Sequence, residues 1–242
     1  MRSLATLRHK LELLEGLRSP ADSQPVGTGV AALDRLLPAG GLRRGTLVEY
    51  LAGSAASGAG TLALAAARVA CQEEKALVVV DRQQCFYPLA AAAWGIGLSR
   101  TVLLHPADAA EQLWATDQAL RCPGVGAVWL TCGTIDDRDF RRLQLAAESG
   151  GTLGLLVRSA KVRGKPTWSA VQWLVQSLPS RGNRRLSVEL VRCRGGVSGQ
   201  VRQLEWDEAR GTWEETSDHA THSLHPPAEL AHPTTARRRS RA

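Results

Sequence analysis

Between Val26 and Gly196 the chain alternates short apolar runs with longer stretches in which apolar residues recur every three or four positions. Leu47 to Leu51 predicts a strand, and the alanine-rich stretch from Thr61 to Gln72 predicts the helix that follows it. ALVVV, Ala76 to Val80, predicts a second strand, ending in Asp81. A helix is expected near Pro88 to Trp94, a strand at Thr101 to Leu104, a helix around Ala109 to Leu120 and a strand at Ala127 to Leu130. Asp137 to Glu148 places Phe140, Leu143 and Ala147 on one side of a helix, and Leu153 to Val157 reads as a further strand. Strands apolar on both faces and joined by helical crossovers belong to a parallel sheet covered above and below. The predicted fold class is therefore three-layer α/β. Leu186 to Arg192 and Gln200 to Trp206 instead alternate apolar with polar residues around Gly195 and Gly196, which predicts an antiparallel hairpin at the sheet edge.

The two ends of the chain read differently. Leu4, Leu7, Leu11, Leu14 and Leu17 write an amphipathic helix over residues 1–20, ended by Pro20 and followed by a linker, residues 21–25. That helix either packs on its own domain or docks on a partner, in which case Leu4, Leu7, Leu11 and Leu14 are the contact residues. Residues 26–213 form the globular domain. Beyond Trp213 the residues are Ser, Thr, His, Pro and Arg, so residues 214–242 are expected to be a disordered basic tail with Arg237, Arg238, Arg239 and Arg241 as partner-binding candidates.

Composition narrows the class. With 242 residues, 44% hydrophobic and 22% charged, the chain has the make-up of a globular protein with one main core. The run from Leu62 to Ala70 is interrupted by Arg68 and is far shorter than the ~20 residues of a membrane span. The opening MRSLATLRHKLELLEG has charges throughout and no apolar signal core, so neither export nor membrane contact is expected. Thirty Lys and Arg against 23 Asp and Glu give +7, a balance that favours acidic partners such as nucleic acid, although four of those charges lie in the tail. The five cysteines are widely spaced without a CxxC pair, and read as buried thiols of a reduced cytosolic protein with no metal site.

The most specific chemistry lies between the first strand and its helix, in Gly53-Ser-Ala-Ala-Ser57-Gly58-Ala59-Gly60-Thr61. The glycines fall where a GxxxxGK[ST] phosphate loop places them. In such a loop backbone amides cradle phosphates at a helix N-terminus, a lysine reaches the terminal phosphates and a hydroxyl holds Mg²⁺. Here Ala59 stands at the lysine position and Gly60 at the hydroxyl position. What remains is a degenerate phosphate loop whose backbone nest (Gly53, Ser57, Gly58, Ala59, Gly60, Thr61) is the place where a nucleotide or other anion would sit. Arg68 and Arg82 are the nearby cations that could substitute for the lysine.

Around this loop, Thr28-Gly29, Leu33-Asp34 and Gly40-Gly41-Leu42 with Gly45 resemble the start of the ATPase core of RecA-type recombinases. The resemblance implies a RecA-like P-loop core, with Gln83 in place of the water-polarising glutamate and Thr131 in place of the Walker B aspartate. A neutral amide can orient a water but cannot act as its base. Losing one electrostatic stabiliser typically costs about 10²–10³ in rate, so three absent charges predict a pseudo-ATPase with no catalytic residues and no cofactor. The resemblance also points to the two DNA-binding intervals of the recombinases. The first, Cys132 to Asp136, is too short for such a loop; the second, SAKVRGKPTW, carries Lys161, Arg163, Lys165 and Trp168. Cations beside an aromatic suit single-stranded DNA, and the alternative is a solvated loop with Trp168 tucked into the core. Arg138, Arg141 and Arg142 form a second basic cluster.

Longer segments resemble one non-recombinase branch. Phe86-Tyr87-Pro88, Leu113-Trp114 with Gln118-Ala119-Leu120, the run Phe140 to Ala147, and Arg192-Cys193-Arg194-Gly195-Gly196 are similar to the ImuA family, RecA/SulA-like proteins of bacterial mutagenesis cassettes. This implies an accessory role in SOS-induced error-prone translesion synthesis, in the cytoplasm at the nucleoid. The implied partners are an ImuB-type Y-family polymerase relative and RecA, with an error-prone C-family polymerase engaged indirectly. The alternatives are a divergent DNA-stimulated ATPase and a SulA-like inhibitor of cell division.

Overall fold

The computed structural model describes residues 24–72 and 74–216. The predicted N-terminal helix, with Leu4, Leu7, Leu11 and Leu14, and the arginines of the tail, Arg237, Arg238, Arg239 and Arg241, lie outside them. In chain order the elements are α1 (Ala31–Asp34), β1 (Leu47–Ala52), α2 (Ala59–Ala70), β2 (Ala76–Val80), α3 (Pro88–Ala93), β3 (Thr101–Leu104), α4 (Ala109–Arg121), β4 (Val125–Thr131), α5 (Asp137–Gly150), β5 (Leu153–Ser159), β6 (Val171–Leu178), β7 (Arg185–Cys193), β8 (Val201–Asp207) and β9 (Thr212–Glu215). They build one nine-stranded sheet in the order β3-β2-β4-β5-β1-β6-β7-β8-β9. The first six strands of that order run parallel and the last three antiparallel.

Two cores follow from the period-two alternation of the strands. On one face α2 lies across the sheet, and Val48, Tyr50, Trp129, Leu155 and Trp173 pack with Leu62, Ala63, Ala66 and Ala67. The small alanines let α2 approach closely, and Gly126 on β4 completes the fit: a Cβ there would stand 2.4 Å from the carbonyl oxygen of Ala70. On the other face α4 and α5 cover Leu47, Val78, Val128 and Leu130 with Leu120, Phe140 and Leu143. Both helices start on an aspartate: Asp108 accepts the Glu111 N–H at 2.8 Å and Asp136 the Asp139 N–H at 2.7 Å. A small third cluster, Leu51, Val162 and Leu174, sits under the connection from β5 to β6.

The three-layer prediction holds, with two differences. β6 falls outside the predicted elements because VQWLVQSL carries two glutamines four positions apart, and one of them, Gln172, is turned inward and is only 3% exposed. The hairpin of β7 and β8 is antiparallel as expected, but the sheet ends on β9, whose Trp213 faces Trp206 across the strand pair and is only 4% exposed. Burial of that one indole outweighs the polar residues around it.

Candidate functional site: the degenerate phosphate loop and its surroundings

The carboxyl ends of the parallel strands converge on the turn from β1 into α2. Gly53 leaves β1 by donating its N–H to the Val175 carbonyl at 3.0 Å, which holds the loop against β6. Gly58 precedes the first residue of α2 with φ +83°, a left-handed conformation that glycine adopts without steric penalty. The candidate residues Gly53, Ser57, Gly58, Ala59, Gly60 and Thr61 are thus brought together as a phosphate loop would bring them.

Gly53 to Ala56 are exposed, with the Gln176 side chain against Gly53, whereas the helix side of the turn packs on apolar residues. Ala59, at the lysine position, is 2% exposed and belongs to the core. Ser57 is 1% exposed, and its Oγ accepts the Ala59 N–H at 3.3 Å, so one of the amides at the helix start is already used. Leu186 from β7 lies against Gly58: a Cβ on that glycine would come within 2.8 Å of its Cδ2. Trp129 from β4 lies against Gly60, its Nε1 donating to the Gly60 carbonyl at 3.4 Å, and the Phe86 ring packs on it at 5.7 Å. Neither Leu186 nor Trp129 was singled out in the sequence; both read there as ordinary strand residues, and only the fold places them on the loop.

The other positions of the family pattern lie on neighbouring strands. β2 and β4 pair in register up to Val80 and Leu130, so Asp81 and Thr131 end adjacent strands. Asp81 is fully buried, and its Oδ2 accepts the Phe86 N–H at 2.5 Å, which fixes the segment that crosses toward α3. Gln83 is exposed, its side-chain oxygen 4.0 Å from Cys85 Sγ. Thr131 accepts a bond from Gln112 Nε2 to its carbonyl at 2.7 Å, while its hydroxyl is buried without a partner. Arg68 lies in the last turn of α2, beside Gly95, about 13 Å along the helix from Ala59 at 1.5 Å per residue, and so does not replace the lysine.

The basic candidates are placed unequally. Val162 is buried under the β5–β6 connection, and Arg163 is paired with Glu189 at 2.5 Å. Trp168 is half-buried against α5, donating Nε1–H to Asp137 at 2.8 Å with the Arg141 guanidinium over its ring at 5.4 Å. Its open face is thereby occupied. Lys161 and Lys165 are exposed and pair with no acid among the described residues. Of the second cluster, Arg142 is bound to Asp117 and Asp139, whereas Arg138 is exposed.

Beneath this connection lies a buried polar network. Arg158 on β5 is ion-paired with Glu49 on β1, at 4% and 0% side-chain exposure, and Arg158 Nε donates to the Gly133 carbonyl at 3.0 Å. The second oxygen of Glu49 accepts from Thr167 Oγ1 at 2.7 Å and from Gln172 Nε2 at 2.9 Å. A lone acid in LVEYLA and a lone arginine in GLLVRS, both in otherwise apolar strands, are the sequence signal for such a pair.

The cysteines depart from the expectation of uniform burial. Cys193 is buried and Cys71 and Cys132 are half-buried, but Cys85 follows β2 in an exposed loop and Cys122 stands at the exposed end of α4. Burial pushes the Cys132 thiol up to about 12 and the Cys71 thiol up to about 11, suppressing the reactive thiolate. An aromatic disulfide reagent at neutral pH is expected to label Cys85 and Cys122 rapidly and Cys132 only on unfolding; equal rates for all would contradict this packing. No group of His, Cys, Asp and Glu among the described residues has the grouping of a metal site.

Comparison with known proteins places this geometry. No protein-family model matches the chain. In the crystal structure of the RadB recombinase, 99% of the chain superposes on 79% of this one with a TM-score of 0.62 at 20% identity. The core is RecA-like. The RecA-like core is also similar in sequence to Protein ImuA of Caulobacter vibrioides, in two strains, at 30% identity over 141 residues. That similarity covers 51% of this chain and spans 58% of the relative. The ImuA resemblance read from the sequence motifs therefore stands over about half of the chain.

Proposed function

We propose that this chain is a non-catalytic accessory protein of SOS-induced, error-prone translesion DNA synthesis, whose RecA-like core binds other proteins instead of turning over nucleotide. The observation that carries the non-catalytic reading is the packing of the phosphate loop. A triphosphate there meets a buried alanine in place of the lysine, a serine hydroxyl on one of the amides, and leucine and tryptophan as walls. Taking an anion out of water without a compensating charge is costly, and Gln83 and Thr131 supply neither a base nor a strong metal ligand.

The pathway is supported by the similarity to Protein ImuA. The proposed partners are an ImuB-type Y-family polymerase relative and RecA, with an error-prone C-family polymerase engaged indirectly, in the cytoplasm at the nucleoid. No helix among the described residues is long and apolar enough to cross a membrane. Lys161 and Lys165 are proposed single-stranded DNA contacts, and the leading leucines and the tail arginines proposed partner contacts. No cofactor is assigned to the loop.

The test joins capture to catalysis. The full chain is expected to retain the ImuB-type protein or RecA filaments at micromolar concentration, and to release no phosphate from ATP above background with single-stranded DNA. Ala59→Lys with Gly60→Thr is expected to stay inactive too, because the new lysine enters the core and the new threonine presses on Trp129. Strand-stimulated hydrolysis by the native chain, or failure to retain either protein, would overturn the proposal.

A further inference from the structure

Where the sheet passes from parallel to antiparallel strands, the structure holds a cavity of ≈ 490 Å³. It opens between the end of β6, the β6–β7 connection, and the two indoles of Trp94 and Trp206. Its size falls within the roughly 300–1,000 Å³ range of small-ligand sites. We propose that this cavity binds a nucleotide unit, a nucleobase with its phosphate, either as a free nucleotide or as one residue of a single strand.

Three observations support that class of ligand. The walls are aromatic and braced: Trp94 and Trp206 stand 4.1 Å apart by ring centroid, and the buried Trp213 backs both, at 6.1 Å and 5.5 Å. Indoles fixed in this way present a π surface at little entropic cost, and base stacking on an aromatic contributes about 1–3 kcal/mol per base. The connection that closes the cavity, Ser180-Arg181-Gly-Asn-Arg184-Arg185, carries three arginines and no acid. Arg184 is exposed and pairs with no acid among the described residues. Arg185, beside it, is ion-paired with Glu205 at 3.8 Å and donates Nη2 to Gln203 at 3.0 Å, so Arg184 is the arginine lining the cavity that is left for a phosphate. Planar guanidiniums bind phosphate by paired, charge-assisted hydrogen bonds. The exposed Ser177 adds a hydroxyl on the β6 side, and Glu208 is the acid at the rim.

Aromatic faces with arginines on one side of a cavity fit a base and its phosphate together better than they fit a simple anion or an acidic peptide. The site is distinct from the basic β5–β6 connection, because Trp206 packs with the core under α2 whereas Val162 packs on the opposite face of the sheet. It uses none of the phosphate-loop amides and does not depend on the proposed accessory role.

The test measures tryptophan quenching and fluorescence anisotropy of the full chain with a labelled oligothymidylate of about ten nucleotides, and with thymidine monophosphate and dATP as competitors. Binding is expected in the micromolar range and to weaken with salt. Arg184→Glu should reduce it at least tenfold, by about 1.4 kcal/mol or more, while Arg43→Glu, at an exposed arginine before β1 and at the opposite end of the sheet, leaves it within about twofold of the native value. Competition by mononucleotide identifies a free nucleotide as the ligand; binding of the strand alone identifies single-stranded nucleic acid. No binding by any probe, or binding untouched by Arg184→Glu, overturns the proposal. Should Arg184→Glu lose its native circular dichroism, photocross-linking of an iodouracil strand to the native chain decides: adducts on Trp94 or Trp206 support the site, and adducts only elsewhere refute it.

Discussion

Arg158→Ala is expected to destabilise the protein by about 3–5 kcal/mol, because it removes one partner of a buried ion pair and leaves the other charged in the interior. Glu49 would keep Thr167 and Gln172 as donors but lose its counter-charge Arg158, the only one at hydrogen-bonding distance among the described residues. The Gly133 carbonyl would lose its Nε donor as well. At about 2–4 °C per kcal/mol for a domain of this size, the melting midpoint should fall by roughly 6–20 °C. Replacing both charges, by Glu49→Gln with Arg158→Met, should recover much of the loss, since apolar substitutes for a buried pair are often neutral. Urea unfolding of the three proteins measures this directly. A loss under about 1 kcal/mol in the single variant would mean that Glu49 is reached by water and that the network is not closed. A functional consequence accompanies the stability change, because Thr167 ends the basic connection. Resting on a loosened network, that connection should be cut faster by trypsin after Lys161 and Arg163.

Trp129→Ala is expected to cost about 3–5 kcal/mol, the usual range for emptying a large aromatic from a core. Trp129 is only 5% exposed, supports the first turn of α2 through Gly60 and is itself covered by Phe86. Its loss should therefore loosen the phosphate loop and the crossing segment together. Gln83→Ala, a few residues from the same place but exposed, should change stability by less than about 0.5 kcal/mol. The comparison separates two roles for this region. A catalytic centre would be sensitive at position 83 in activity, whereas a packed turn is sensitive at position 129 in stability. Chemical denaturation of both variants is the measurement, and equal stability for the two would remove the indole as the wall of the loop.

Much of this architecture was legible because local patterns and tertiary needs agree. ALVVV is buried on both faces and could only be an inner strand, and the helices read around Ala109 to Leu120 and over Asp137 to Glu148 are realised as Ala109–Arg121 and Asp137–Gly150. The turn at Gly53 to Thr61 was legible as well, since its glycines and the missing lysine are visible without coordinates. Less was legible where one residue answers to a distant neighbour. Gln172 looks like a solvent-facing residue until Glu49 is found beneath it, and Trp168 looks like a stacking platform until Asp137 and Arg141 are found holding it. Leu186 lies well over a hundred residues along the chain from the glycine it covers. Contacts of that kind are set by strand order, which hydrophobic periodicity does not encode.

The outer strands, β3 and β9, are only four residues long. A border that short offers few backbone bonds to a passing sheet, and each is interrupted in its own way. Pro106 follows β3 after one residue and cannot donate to a ladder, while β9 ends in Glu214 and Glu215, which engage Arg210, Arg35 and Arg202. The five inner parallel strands are the most adhesive part of the molecule if laid open, and these brief, charged or proline-stopped margins keep them from templating fibrils. Colloidal stability then depends on the rim of the sheet and not on ligand supply.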